Sequence, residues 1–269
     1  MCTLAVYRRV SPLYPLVVVA NRDEFLGRGA TAPAPWPDDG AIVAGRDLVA
    51  GGTWLGCRTD GSGRVVGLLN RRPVADRAAS DPGERSRGLL CIESLRAPSI
   101  EAALAGLDEA QAARYGGFNL FVADLEQALV VDNGRGVGRV VLEDGLSVLT
   151  NIDVNDPRCP RLAGATRRFE ALRPMLAAGA DLDAAVPALA AVLSSHEDDS
   201  AQVEDAAALE RFGHEGAARL ARVCVHVGDY GTRSSTMIFV RGNGAIRYFH
   251  ADGPPCTTTF EEVPVARSA

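Results

Sequence analysis

Short β-branched and aromatic runs cut by turn dipeptides fill both ends of this chain, and they restrict its fold more than any other feature. "TLAVYR" and "LVVVAN" flank a Ser-Pro turn, while "TWLGCRT" and "RVVGLLN" flank Asp60-Gly61, the turn chemistry that tight hairpins prefer. Further strand candidates are "FNLFVAD", "ALVVD", "RVVLE", "LSVLTN", "RVCVHV", "STMIFVR" and "AIRYFH", several of them divided by Asn133-Gly134, Asp144-Gly145 or Asn243-Gly244. Strands this close together pair as antiparallel neighbours and leave no room for βαβ crossovers.

Helical periodicity falls in two blocks, 86–114 and 160–195. In the second, Leu162, Ala165, Phe169, Leu172 and Leu176 recur at helical spacing behind Pro160, which suits a first turn. Pro174 and Pro187 are expected to kink or interrupt it. The polar stretch "SSHEDDSAQVED" reads as a mobile loop. Strands, then helices, then strands predict an α+β fold: two antiparallel sheets stacked face to face with helices outside, a four-layer αββα sandwich. With no repeat and no composition break, residues 1–269 read as one domain.

Composition removes several kinds of chemistry. All 28 basic residues are arginine. The absence of lysine excludes a Schiff base, a lysine general base and a Walker-type phosphate loop. A formal charge of -6 offers no general attraction to nucleic acid or anionic membrane. The six cysteines (2, 57, 91, 159, 224 and 256) form no C-x-x-C pair, so their spacing signals neither zinc nor a disulfide framework. Free thiols suit a reducing compartment, and a cytoplasmic protein is expected. Pro12 and Pro15 interrupt the apolar stretch after Arg8-Arg9, which argues against an export signal, and no run reaches membrane-spanning length.

The chemistry gathers at Cys2. Loss of Met1 would put a thiol and a free α-amine on one residue, and an amine with pKa near ~8 can take the thiol proton. "NRDE", Asn21 to Glu24, ends the strand expected to pair with the one that begins at Cys2. There Arg22 would lower the thiol pKa and Asp23 would hold the ammonium form of the amine. Asn70 and Asn151 each close a strand and offer amides suited to an oxyanion. Arg233 opens the strand in "YGTRSSTMIF". Each feature has a plainer explanation: a buried core thiol for Cys2, an exposed ion pair for Arg22 and Asp23, turn formation for the asparagines, a solvated rim for Arg233.

Taken together, these residues resemble the transport and Golgi organisation protein 2 family, named also for its NRDE motif. The resemblance rests on Met-Cys at the start, then "ANRDEF", "GGTWLG", "GLLN", "GGFNLFVAD", "VLTN" and "YGTRSSTMIFV" in order. That family in turn resembles the N-terminal nucleophile (Ntn) hydrolases, in particular the cysteine branch holding penicillin V acylases and bile salt hydrolases. The resemblance implies Cys2 as nucleophile and amine base, Arg22 and Asp23 in positioning and charge, Asn70 and Asn151 as oxyanion or amine contacts, and Arg233. Arginine and aspartate are adjacent here, whereas the hydrolases separate them. Asn21, Trp54, Asn119 and Tyr230, within the same motifs, are candidate ligand contacts.

The expected activity is an N-terminal-cysteine hydrolase or acyltransferase acting on an amide or thioester bond of an acyl compound. The alternative that the resemblance carries is a non-catalytic binding or transfer protein for haem or acyl-CoA and lipid on the same fold. No cofactor is required; haem enters only as the ligand of that alternative, with His196 or His214 as its candidates. No histidine sits in a metal spacing, and His226 in "VCVHV" and the remaining His250 lie in strand segments. "HEDD" reads as a solvated acidic loop, and "GRGVG" at 134–138 as a hairpin turn without the strand and helix a nucleotide site needs.

Overall fold

A computed structural model describes residues 2–72, 83–156, 159–197 and 206–265. Its architecture is α+β, with two antiparallel seven-stranded sheets and helices packed on them. The chain divides into two compact units that interleave in sequence: Met1–Gly27, Asp144–Phe239 and Tyr248–Glu262 form one, and Arg28–Glu143, Val240–Arg247 and Val263–Ala269 the other.

The sheet of the first unit runs β10 (Gly145–Leu149), β1 (Thr3–Arg8), β2 (Leu16–Phe25), β12 (Tyr230–Val240), β13 (Ile246–Ala251) and β14 (Glu261–Val263), with β11 (His226–Val227) paired to β12. The β1 and β2 hairpin forms across the Ser-Pro turn, Thr3 opposite Asn21 and Arg8 opposite Leu16. On one face Ala5, Tyr7, Val17, Val19, Met237 and Phe239 pack against Leu162, Ala165, Phe169 and Leu176 of α4 (Pro160–Ala177) and Leu189 and Leu193 of α5 (Leu182–Leu193). This is the apolar stripe that the helical spacing predicts. Leu4, Val6, Leu16 and Val18, which point the other way, are buried as well.

The second unit's sheet follows sequence order, β3 (Ala34–Trp36), β4 (Asp39–Ala44), β5 (Leu55–Arg58), β6 (Val65–Asn70), β7 (Phe118–Ala123), β8 (Ala128–Asp132) and β9 (Gly138–Val141). Gly61, at φ 88°, makes the β5 to β6 turn. Residues 133–137 connect β8 to β9, so "GRGVG" is a hairpin segment as read. Three short helices, α1 (Arg87–Arg96), α2 (Ile100–Ala105) and α3 (Glu109–Ala113), pack Leu90, Ile92, Leu95 and Leu104 onto this sheet. Ser99 and Asp108 cap α2 and α3 through their side chains.

Several expectations are corrected. Helices α4 and α5 continue through Pro174 and Pro187 without interruption. Each proline removes one backbone donor, and the buried face that continues through Leu176, Leu189 and Leu193 offsets that loss. Strands β3, β4 and β14 were not anticipated, nor was α6 (Ala206–Leu220), whose Gly213 leaves helical geometry at φ 68° and ψ 179°. Of the acidic stretch, residues 198–205 lie outside the described residues, as does Met1.

Candidate active site

Strand β1 lies between β2 and β10, so the residue just before it is carried to the ends of both neighbours. Thr3 is opposite Asn21, and Leu4 is opposite Leu149. Cys2 therefore stands level with the NRDE segment on one side and with Asn151, just past β10, on the other. Its backbone N–H donates to Asn151 Oδ1 at 3.2 Å, and its thiol approaches the Asp23 carbonyl at 3.9 Å. Burial pushes the Cys2 thiol above its ordinary pKa and the Asp23 charge adds to the rise, against which the Asp23 carbonyl contact and the Arg22 charge pull downward. A thiol held protonated in this way needs a proton acceptor before it can act as a nucleophile.

Behind Cys2 lies a buried charge pair that sequence reading missed. Arg161 Nη2 donates to Asp23 Oδ2 at 2.5 Å, and Thr232 Oγ1 donates to Asp23 Oδ1 at 2.7 Å. Arg161 also donates from Nε to Thr3 Oγ1 at 2.9 Å and reaches the carbonyls of Leu220 and Val223 at 3.4 and 3.3 Å. Both Asp23 carboxylate oxygens thus meet Arg161 and Thr232, while the contact to Cys2 N is made by Asn151. An arginine in a helix's first turn opposes the helix dipole, and at position 161 it also continues the 165 and 169 stripe that faces the core. Those two anomalies are the signal that could have marked Arg161 as unusual, though not its partner.

The remaining candidates fall into two groups. In the first unit, Arg22 is buried, and Asn21 is wholly internal: its amide donates to Leu193 O and Val223 O, both at 2.9 Å, and accepts from Ser235 Oγ at 2.5 Å. Tyr230 donates its hydroxyl to the Asp23 carbonyl at 3.2 Å and sets its ring edgewise against Phe25. Arg233 pairs with Asp252 at 2.9 Å on a more exposed part of β12. In the second unit, Asn70 ends β6 and is exposed, Asn119 is buried in β7 and accepts from Arg71 at 2.9 Å, and half-buried Trp54 packs its ring beside Gly45.

Sequence spacing suggests no metal site, yet the fold gathers four side chains of a kind that can ligate one. The ligand atoms of His196, Cys224, His226 and Cys256 all lie within 4.8 Å of one another. His226 is a residue of β11 as expected, while His214 is an exposed residue of α6. No described helix is long and apolar enough to cross a membrane.

The two antiparallel sheets with their helices form an Ntn-hydrolase-like fold. The N-acylethanolamine-hydrolysing acid amidase ortholog of Caenorhabditis elegans has the same fold at a TM-score of 0.57, covering 98% of this chain and 100% of that one at 12% identity. More narrowly, the chain belongs to the Transport and Golgi organisation 2 family, whose model matches residues 1–252. Its relatives include the Transport and Golgi organization protein 2 homolog of Bos taurus, 34% identical over 250 residues that make up 87% of this chain and 85% of the relative. The Homo sapiens homolog is 29% identical over 252 residues, with the same coverage of 87% and 85%.

Proposed function

We propose that the protein is an N-terminal-cysteine hydrolase or acyltransferase that cleaves an amide or thioester bond of an acyl compound, with Cys2 as nucleophile. The observation that supports this most is the pairing at the head of β1, where the nitrogen and sulfur of one residue are each held by a polar partner, Asn151 Oδ1 and the Asp23 carbonyl. Removal of Met1 turns that nitrogen into an α-amine, and the hydrogen bond to Asn151 orients it.

The amine takes the thiol proton and the thiolate attacks the acyl carbon. The C–N or C–S bond then breaks, and the ammonium returns the proton to the departing amine or thiol. An acyl thioester is left on Cys2. Water gives a proton to the same amine and attacks the thioester, releasing the acid and restoring the thiol; in an acyltransferase a second amine or alcohol takes the place of water. Asn151, whose amide also carries a donor nitrogen, suits the developing oxyanion. The acyl-ethanolamide substrate named for the amidase of like fold makes such amides the first compounds to test.

Intact mass and N-terminal peptide sequencing of the native protein come first, followed by incubation with N-acylethanolamines and acyl thioesters. Expected are loss of Met1, release of the free acid, an acyl adduct on the Cys2 peptide, and no turnover in Cys2→Ala. Retention of Met1 in turnover-competent protein, or wild-type rates in Cys2→Ala, would overturn the proposal. Saturable binding of haem or acyl-CoA with neither adduct nor product would replace it with a carrier.

A further inference from the structure

We propose that His196, Cys224, His226 and Cys256 form a closed Cys2His2 zinc site, one that fastens the backbone supporting Asn21, Asp23 and Arg161. It involves none of the groups assigned to acyl transfer and stands independently of that reading.

The geometry matches the ion. Zinc bound tetrahedrally at about 2.3 Å from sulfur and about 2.0–2.1 Å from nitrogen sets sulfur to sulfur near ~3.8 Å and sulfur to nitrogen near ~3.5 Å. Here Cys224 Sγ is 3.7 Å from Cys256 Sγ, and His226 Nε2 is 3.6 Å from the first sulfur and 3.2 Å from the second. The His196 ring stands edgewise to that of His226 at 5.1 Å between centroids, and its ligand atom lies within 4.8 Å of the other three. The thiols of Cys57 and Cys91 behave differently, each directed at a backbone carbonyl, Val43 O and Val66 O. Two thiols and two imidazoles are the ligand set of structural zinc, and four protein ligands leave no position for a reacting water.

The ligands come from three separate parts of the first unit: His196 follows α5, Cys224 and His226 span the start of β11, and Cys256 lies in the turn between β13 and β14. Cys224 N donates to Ser195 O at 2.9 Å, which ties two of these parts together. On either side of Cys224 the chain supports the network around Asp23. The Val223 carbonyl accepts from Asn21 and Arg161, and Val225 N donates to Thr232 Oγ1 at 2.9 Å, the hydroxyl that donates to Asp23. An ion at Cys224 therefore fixes two anchors of that network.

The test uses full-length protein and measures binding directly. Protein purified without chelator is expected to contain one zinc per chain. Chelated protein titrated with Co(II) should develop tetrahedral d–d bands and thiolate charge transfer that saturate at one equivalent and vanish on adding Zn(II). Cys2→Ser should leave this spectrum unchanged. Losing an outer hydrogen-bond partner of a metal ligand costs roughly 10–100-fold in affinity, so Cys256→Ser and His226→Ala should each lose at least that. Should Cys256→Ser fail to fold, His196→Ala, at an exposed position, makes the same comparison. Chelation should lower the unfolding midpoint of wild type and leave that of a ligand variant unmoved. A Cys224 to Cys256 disulfide in the native protein, a Co(II) spectrum without thiolate bands, or full affinity in the variants would overturn the proposal.

Discussion

Arg161 and Asp23 meet at 2.5 Å with their side chains only 3% and 0% exposed, joining the first turn of α4 to the end of β2. The Asp23 carbonyl is the atom that Cys2 Sγ approaches, so Arg161 acts on the thiol only through the residue it holds. Removing one member of a buried pair leaves the other charge without compensation, at a cost of about 3–5 kcal/mol. Arg161→Ala is expected to lose that much stability in urea unfolding at pH 7. A loss below about 1 kcal/mol, the range of surface pairs, would show that the pair does not hold these elements together.

Asn151 offers both an acceptor and a donor, and the two can be separated. Asn151→Asp keeps an oxygen for Cys2 N and removes the amide donor, while Asn151→Ala removes both. If the donor stabilises the oxyanion, each variant should lower single-turnover acylation of Cys2 by about 10²–10³-fold. Loss in Asn151→Ala alone would assign the residue to orienting the amine.

Much of this arrangement was legible in the sequence because hairpin chemistry is local. The Ser-Pro and Asp60-Gly61 turns locate β1, β2, β5 and β6, and the β1 to β2 register brings Cys2 to the NRDE segment. Strand β3 was hidden by Pro33, Pro35 and Pro37, which an edge strand tolerates and an interior one does not. Helix α6 was obscured by Gly213, which breaks its periodicity. Arg161 and the four metal-type ligands depend on tertiary structure: whole elements separate His196, Cys224 and Cys256, and spacing rules see only ligands that are close in sequence. The two compact units show no boundary in composition because each is assembled from segments that alternate along the chain.

Gly52 of "GGTWLG" has a packing reason. A Cβ on Gly52 would sit 2.2 Å from Gly88 C and 2.4 Å from Gly88 O, backbone atoms of α1 with no room to rotate away. Gly88 is the milder case, since its nearest neighbours would be Thr53 N and Thr53 O at 3.2 Å, and alanine there gains about 1 kcal/mol in helix propensity. Gly52→Ala is expected to cost at least 1–3 kcal/mol, roughly the range for overpacking, and to exceed Gly88→Ala in thermal or urea unfolding. Equal effects would mean that α1 moves freely away from the sheet.

His250 gives stability a defined pH dependence. It is 6% exposed on β13, and Thr236 Oγ1 lies 3.0 Å from its Nδ1. Burial lowers its pKa to about 4; Arg233 works in the same direction, and Asp252 and the backbone bond to Ser235 oppose it. In the unfolded chain the ring titrates near ~6.5. Between these values the unfolded state binds more protons, so stability falls as pH falls. Lowering pH from 7 to 5 should remove about 2 kcal/mol through this group alone, and the full loss of about 3 kcal/mol is reached below the folded pKa. His250→Gln keeps a polar side chain beside Thr236 and removes the proton site. Its urea-unfolding free energy should therefore change less across pH 7 to 5 than that of wild type by about the same 2 kcal/mol. Parallel pH curves would show that the ring takes up protons alike in the folded and unfolded chains, so that burial does not disfavour its charged form.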